Sequence, residues 1–175
     1  MTAITVTNTE YLIAAAMKTS FENATIDGAK VWKTVAVSLS ETEARETLLR
    51  QDVPIAIVIY DDTTETLTVG DQPALQVAYT LLFATRLYGD NDDTARMQEG
   101  MRIVNAAKNV IESDLPASSG TPSYASAWGM EGYYQPQFAW GTPEISKPTD
   151  AERSPWVIAR LPLKVGAVLT NQTSH

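Results

Sequence analysis

Two stretches of this chain, PIAIVIY (residues 54–60) and PALQVAYTLLFATRLY (residues 73–88), decide its fold class. The first is apolar at every position after its proline, the pattern of a central strand covered on both faces. Proline lacks an amide donor, so the start of a strand is where it does least harm. The second stretch alternates. Leu75, Val77, Tyr79, Leu81 and Phe83 point one way, and Ala74, Gln76, Ala78, Thr80, Leu82 and Ala84 point the other. The large residues are expected to face a helix layer, and the small face to meet water or another subunit. A long helix is expected from Thr94 to Leu115, stopped by Pro116. Met97, Met101, Val104, Ile111 and Leu115 form its expected inner stripe, widened by Ile103, Ala107 and Val110. Arg96, Glu99, Arg102, Asn105 and Asn109 are expected outside, with Asp92 or Asp93 as the cap. These elements predict an α+β fold: a mixed or antiparallel sheet of about four to six strands with helices packed on one face.

Outward from this centre, Thr7 and Glu10 form a T-x-x-E capping box that predicts a helix starting near Asn8. Leu12, Ala15, Ala16 and Thr19 give it a small-residue face, and Asp27-Gly28 is a turn that lies beyond its end. Val31 to Leu39 alternates loosely, as a strand does. Ser40 and Glu43 form a second capping box before the short helix ETEARETLLR (41–50), with Ala44, Leu48 and Leu49 inward. Asp52-Val53-Pro54 stops that helix, because the residue before a proline avoids helical geometry. Asp61 to Thr64 is expected as a turn, Thr66 to Val69 as a short hairpin strand, and Gly70-Asp71 as a further turn.

Residues 117–154 are rich in Gly, Pro and Ser and carry Tyr124, Trp128, Tyr133, Tyr134, Phe138 and Trp140. The segment is too long and too aromatic for a simple turn, and QPQFAW (135–140) is expected as a short strand within it. Tyr133, Tyr134, Phe138 and Trp140 are candidate contact residues, since aromatics are enriched at interfaces; the alternative is that they cover one end of the core. The last strand, PWVIARLPLKVGAVL (155–169), puts Val157, Ala159, Leu161, Leu163, Val165, Ala167 and Leu169 on one face. Arg160 and Pro162 fall on the other, and Pro162 removes a ladder donor, which predicts an edge position or a bulge. Residues 170–175 read as a polar tail, and without an internal repeat or linker the chain is expected to be one domain over 1–175.

At 175 residues, folding should bury about 70% of the surface that the unfolded chain exposes, so one core suffices. Cysteine is absent, which excludes disulfides, thiolate metal sites and a cysteine nucleophile. The net charge of −8 disfavours sequence-independent nucleic-acid binding, which depends on Lys and Arg neutralising phosphates. MTAITVTNTE has neither a basic segment nor an apolar core, so no secretory signal is expected there. The longest apolar runs fall short of the roughly 20 residues that cross a bilayer.

The one histidine, His175, is the last residue, so an oriented Ser-His-Asp or Cys-His set is excluded. Asp90-Asn91-Asp92 hints at a calcium loop, but Ala95 and Met101 stand where such a loop needs glycine and glutamate. Phosphate-binding glycine loops and a nucleophile elbow are also missing. No catalytic, cofactor or metal residue is therefore assigned, and the chain is read as a non-enzyme.

The order of elements is more informative than any motif. An N-terminal helix, a strand and a capped short helix precede VPIAIVIYDD (53–62). The alternating QVAYTLLFATRL (76–87), the helix GMRIVNAAKNVIESDLP (100–116) and the final strand VIARLPLKV (157–165) complete it. Over roughly residues 8–168 this resembles the tail terminator proteins of long-tailed bacteriophages, in particular the family of small Mu-like tail proteins. The resemblance implies a homo-oligomer, a hexameric ring on the last ring of the tail tube. Such a ring stops tube growth and offers its other face to a neck or stopper protein, and in contractile tails it can touch the sheath protein. It implies a virion protein assembled in the host cytoplasm, with no cofactor and no sequence-specific nucleic acid, although DNA passes through the lumen, which acidic residues would suit. The small-residue face around Ala78 and Thr80, and the last strand with Arg160 and Pro162, would be inter-subunit surfaces. Another neck or tail component, or a monomeric binding module that uses the aromatic segment, is the alternative.

Overall fold

The computed structural model describes residues 9–67, 73–89, 92–114, 133–146 and 155–169. In chain order these form α1 (Thr9–Asn23), β1 (Thr25–Ile26), β2 (Ala29–Lys30), β3 (Thr34–Ser38), α2 (Glu41–Arg50), β4 (Ile55–Leu67) and β5 (Pro73–Arg86). α3 (Asp93–Asp114), β6 (Tyr133–Trp140), β7 (Glu144–Ile145) and β8 (Trp156–Leu169) follow. Thr7, Leu115, residues 68–72, Tyr124, Trp128 and the 170–175 tail, on which several sequence expectations fall, lie outside the described residues.

One mixed sheet runs in the order β3-β4-β5-β8-β6, with β7 also paired to β8. β3 and β4 are parallel and every other pairing is antiparallel. The α+β class and the six-stranded mixed sheet agree with the sequence reading, but the expectation of helices on one face only is corrected, because helices cover both faces. The two long helices α1 and α3 share one face, over Ala56, Val58, Tyr79, Leu81, Phe83, Leu161 and Leu163. The short α2 takes the opposite face, where Ala44 and Leu48 cover Ile55, Ile57, Ile59, Leu82 and Ala84. The parallel β3–β4 pair needs a crossover, and α2 supplies it. β4 is apolar on both sides because both sides are covered.

Local chemistry sets the helix starts. The Ser40 hydroxyl accepts from the Glu43 amide at 3.2 Å, and Asp92 accepts from the Ala95 amide at 2.7 Å. Only half of the expected capping box forms at α2, because the Ser40 amide donates to the Ser38 hydroxyl (3.4 Å) instead of to Glu43. Asp27 and Gly28 both take positive φ in the two-residue β1–β2 turn, as a type I′ hairpin requires.

Four further sequence expectations are corrected. Asp61 to Thr64 is not a turn: β4 continues to Leu67 and absorbs a bulge between Tyr60 and Asp62. The bulge lets Asp61 leave the ladder without ending the strand, and pairing resumes at Asp62. The inner face of α3 is rotated, with Arg96, Gly100, Ile103, Val104, Ala107 and Ile111 buried and Met97 60% exposed. Arg96 is drawn inward because its guanidinium donates to the Trp156 carbonyl at 2.6 Å. On α1 the buried stripe is Ile13, Ala14, Met17, Ser20 and Phe21, while Leu12 and Thr19 are exposed. Ile13, Met17 and Phe21, all fully buried, supply most of the apolar area that this stripe removes from water. The strand expected at Val31–Leu39 shortens to β3, and Val31 and Trp32 instead fill the core from the preceding loop.

Trp32 stacks on Phe83 at 5.9 Å, and Phe21 meets both rings edge-on at 4.9 and 5.9 Å. This cluster joins α1, the loop before β3 and the centre of the sheet. A buried aromatic truncation costs about 3–5 kcal/mol. Phe21→Ala should therefore lower the unfolding free energy by about that amount, read from denaturant melts; a loss under about 1 kcal/mol would show that the cluster is not a core element. A second tie joins β5 to α3, where the buried Thr85 hydroxyl donates to Glu99 (3.0 Å) and Arg102 grips the same carboxylate at 2.7 Å. Hydrogen bonding from Arg102, then from Thr85, holds the Glu99 carboxyl below its ordinary range against the opposing effect of burial. Its stabilisation is present above the ordinary carboxyl range and is lost as pH falls through the depressed native value. Glu99→Gln should flatten the acid limb of the stability curve; an unchanged limb would remove Glu99 from that role.

Candidate functional site

The candidate surface that the sheet geometry assembles is the half of the second face that α2 leaves open. Side chains directly opposite on paired strands share a face. The register Asp62↔Ala78 and Ala78↔Lys164, followed by Ala139↔Lys164, therefore builds one row across β4, β5, β8 and β6. The next row toward α2 is Ile59, Thr80 and Pro162, and the row beyond that is Ile57, Leu82, Arg160 and Glu144. Ala78, Thr80, Arg160 and Pro162, chosen from sequence, are thus brought together on one face.

Their exposure differs. Ala78, Pro162 and Arg160 are half-buried, and Asp62, Lys164 and Ala139 are exposed. Thr80 is 2% exposed, and its hydroxyl donates to Asp61 Oδ2 at 2.6 Å. The bulge is what brings Asp61 to that position, so Thr80 supports the surface from beneath instead of presenting a contact group. Leu82 and Ala84 are buried under α2, so the small-residue face expected to meet water or a subunit is open only at its Ala78 end.

Pro162 is not on an edge strand, because β8 lies between β5 and β6. Its carbonyl accepts from the Gly141 amide at 2.8 Å, so its missing donor faces the short break between β6 and β7. The proline is tolerated because the chain leaves the ladder at that point. The approach is close: a Cβ on Gly141 would stand 2.7 Å from the Pro162 ring.

Arg160 bridges α2 and β7 loosely. Its Nε lies 3.9 Å from Glu41 and its Nη1 3.8 Å from Glu144, beyond hydrogen-bond reach. Exposed pairs of this kind contribute little to stability.

The aromatic candidates divide. Phe138 opposes Val165 and Trp140 opposes Leu163, which places both on the α1/α3 face. The Trp140 indole donates to Glu112 (3.1 Å), and the Lys108 ammonium lies 5.7 Å from its ring centre. These two residues cover the end of the core against α3. Tyr133 and Tyr134 belong to β6, opposite Leu169 and Val168, and their side chains lie outside the described residues. β6 confirms the short strand expected at 135–140 and extends it to Tyr133.

Two further features escaped the sequence reading. A cleft of about 350 Å³ opens between the end of α1, the β1–β2 hairpin and α3, lined by Ser20, Asn23, Ile26, Asn109, Val110 and Ser113 among others. Its described lining carries no ionisable group, so it offers neither an acid nor a base. At the other end of α1, the Tyr79 hydroxyl donates to the Glu10 carbonyl at 2.6 Å. Burial first, then the Glu10 carboxylate and Tyr60, push the Tyr79 phenol far above its ordinary range, which keeps it a neutral donor. Among the described residues, no group of three His, Cys, Asp or Glu is placed to hold a metal ion. No helix among them is long and apolar enough to cross a membrane. No protein-family model matches the sequence, and no curated protein matches it.

The open and covered halves of the face give a paired expectation. Ala78→Glu should leave the isolated chain folded, with a stability change under about 1 kcal/mol. Ala84→Glu, at a site 0% exposed beneath α2, should unfold it, because a carboxylate would be buried unpaired. Circular dichroism and thermal melts separate the two; an unfolded Ala78→Glu protein would show that this end is core.

Proposed function

We propose that the chain is a structural protein of the head-proximal end of a phage tail, a terminator whose subunits form a ring that caps the tail tube and joins it to the neck. The observation that carries this reading is the open half of the sheet face, low and small-residue at Ala78 and Ala139 and bordered by charge at Asp62 and Lys164. Such a surface lets a neighbouring subunit approach closely while charged groups select its position. Ring contacts are heterologous, so this face meets a different patch on the next subunit and the contact closes on itself. The tube protein and a neck or stopper protein are the partners at the two ring faces, joined in a contractile tail by the sheath. The element order set out above supplies the tail assignment, and the net charge of −8 suits a lumen that DNA crosses without adhering. The alternative of a monomeric binding module on the aromatic segment is weakened, because Phe138 and Trp140 pack toward α3.

Mixing the protein with its tube protein and measuring mass by light scattering tests the ring. A bound mass near six times 19.1 kDa is expected. Folded Ala78→Glu should not assemble. A wild-type chain that stays monomeric with both tube and neck partners would overturn the reading.

A further inference from the structure

The row Asp62–Ala78–Lys164 holds an acid and a base two strands apart, on either side of a small residue. Strands are spaced by about 4.8 Å, so the two Cα positions are about 10 Å apart. The ammonium and carboxylate stand on opposite flanks of β5, and no ion pair within 4 Å joins either to another described residue. Both residues are exposed. Along the strands, the row beyond Asp62 carries no exposed charge, and on the other side the bulged Asp61 adds a second exposed carboxylate to the same acidic β4 flank. Thr64, Gln76 and Gly166 flank the row on one side, and Thr80 and Pro162, paired with Ile59, flank it on the other.

A flat face with charge arranged in this way is complementary to itself. A two-fold axis lying between two such faces and running along β5 sets Ala78 over Ala78. It also sets Asp62 of each copy opposite Lys164 of the other. An axis across the strands would instead place acid on acid and base on base, which is repulsive. Only one orientation of the pair is therefore selected. α2 stands on the same face at the Ile55–Ile59 end, which confines the contact to the half around Ala78. The exposed Ala139 and the half-buried Gly166 keep the ground on the basic flank low. Thr80 offers no rival donor, since its hydroxyl is taken by Asp61.

We propose that the free chain pairs with a second copy of itself, face to face about a two-fold axis along β5, through reciprocal Asp62–Lys164 contacts across apposed Ala78 residues. This deepens the reading of the open face as an inter-subunit surface and rests on it. A pair closed in this way covers the surface that ring assembly uses, so the tube end must open it before a ring forms.

Charge exchange tests the pairing. Sedimentation equilibrium of the wild-type chain should give a dimer near twice 19.1 kDa that weakens at high salt. Asp62→Lys and Lys164→Asp should each raise the dissociation constant on the order of ten-fold or more, and the double exchange should restore it. Asp62 and Lys164 are both exposed, so the variants should stay folded, which circular dichroism checks. A wild-type chain that remains monomeric at its highest soluble concentration would overturn the proposal. So would an oligomer indifferent to the single reversals, or a double exchange no better than either single one. Tube capping by a chain that never dimerises would sink the pairing and leave the ring standing; a rescued dimer that never caps a tube would do the opposite.

Discussion

Strand β5 is the constraint on which the rest of the molecule depends. It is paired along its whole length, to β4 on one side and β8 on the other, so its backbone cannot rotate to choose which side chains it buries. A period of two then assigns every side chain to a face at once. Leu75, Val77, Tyr79, Leu81 and Phe83 make one face large enough to need two helices. Leu82 and Ala84 make the other shallow enough for the short α2. A one-residue slip would exchange these sets and put Phe83 where α2 has room for alanine.

The helices are held to that sheet by a few polar ties as well as by packing. Tyr79 anchors the first turn of α1 through the Glu10 carbonyl. Thr85 and Arg102 share the Glu99 carboxylate between sheet and α3, and Arg96 donates to the backbone of β8. Gly100 lets α3 approach β7, since a Cβ there would stand 2.7 Å from the Ile145 side chain. Each tie sits at the boundary between layers, where a polar group keeps a partner after water is removed. The open half of the second face lacks such a covering element among the described residues.

Much of this was legible in the residues. The alternation of 74–84 predicted the face division, the apolar run 55–60 the doubly covered strand, and Ser40 and Asp92 the helix starts. What failed did so for physical reasons. Asp61 to Thr64 has turn composition, yet pairing with β5 along a long hairpin outweighs local preference and resolves the conflict as a bulge. Met97 and Arg96 exchanged places because hydrophobicity ranks methionine inward, while an acceptor carbonyl on β8 rewards a buried guanidinium. Phe138 and Trp140 resembled a contact surface because aromatics suit interfaces and cores equally. Only their register against Val165 and Leu163 distinguishes the two.

The sequence by itself determined the fold class, the two faces of β5 and the lack of any cysteine in this chain, because these follow from composition and short-range periodicity. Tertiary structure decided which half of the small-residue face stays open, why Pro162 is tolerated inside the sheet, and that Asp62, Ala78 and Lys164 stand in one row. Those facts depend on strand order and register, which join residues as far apart as 62 and 164. No local pattern encodes such a pairing, because it is the chain's long-range closure that creates it.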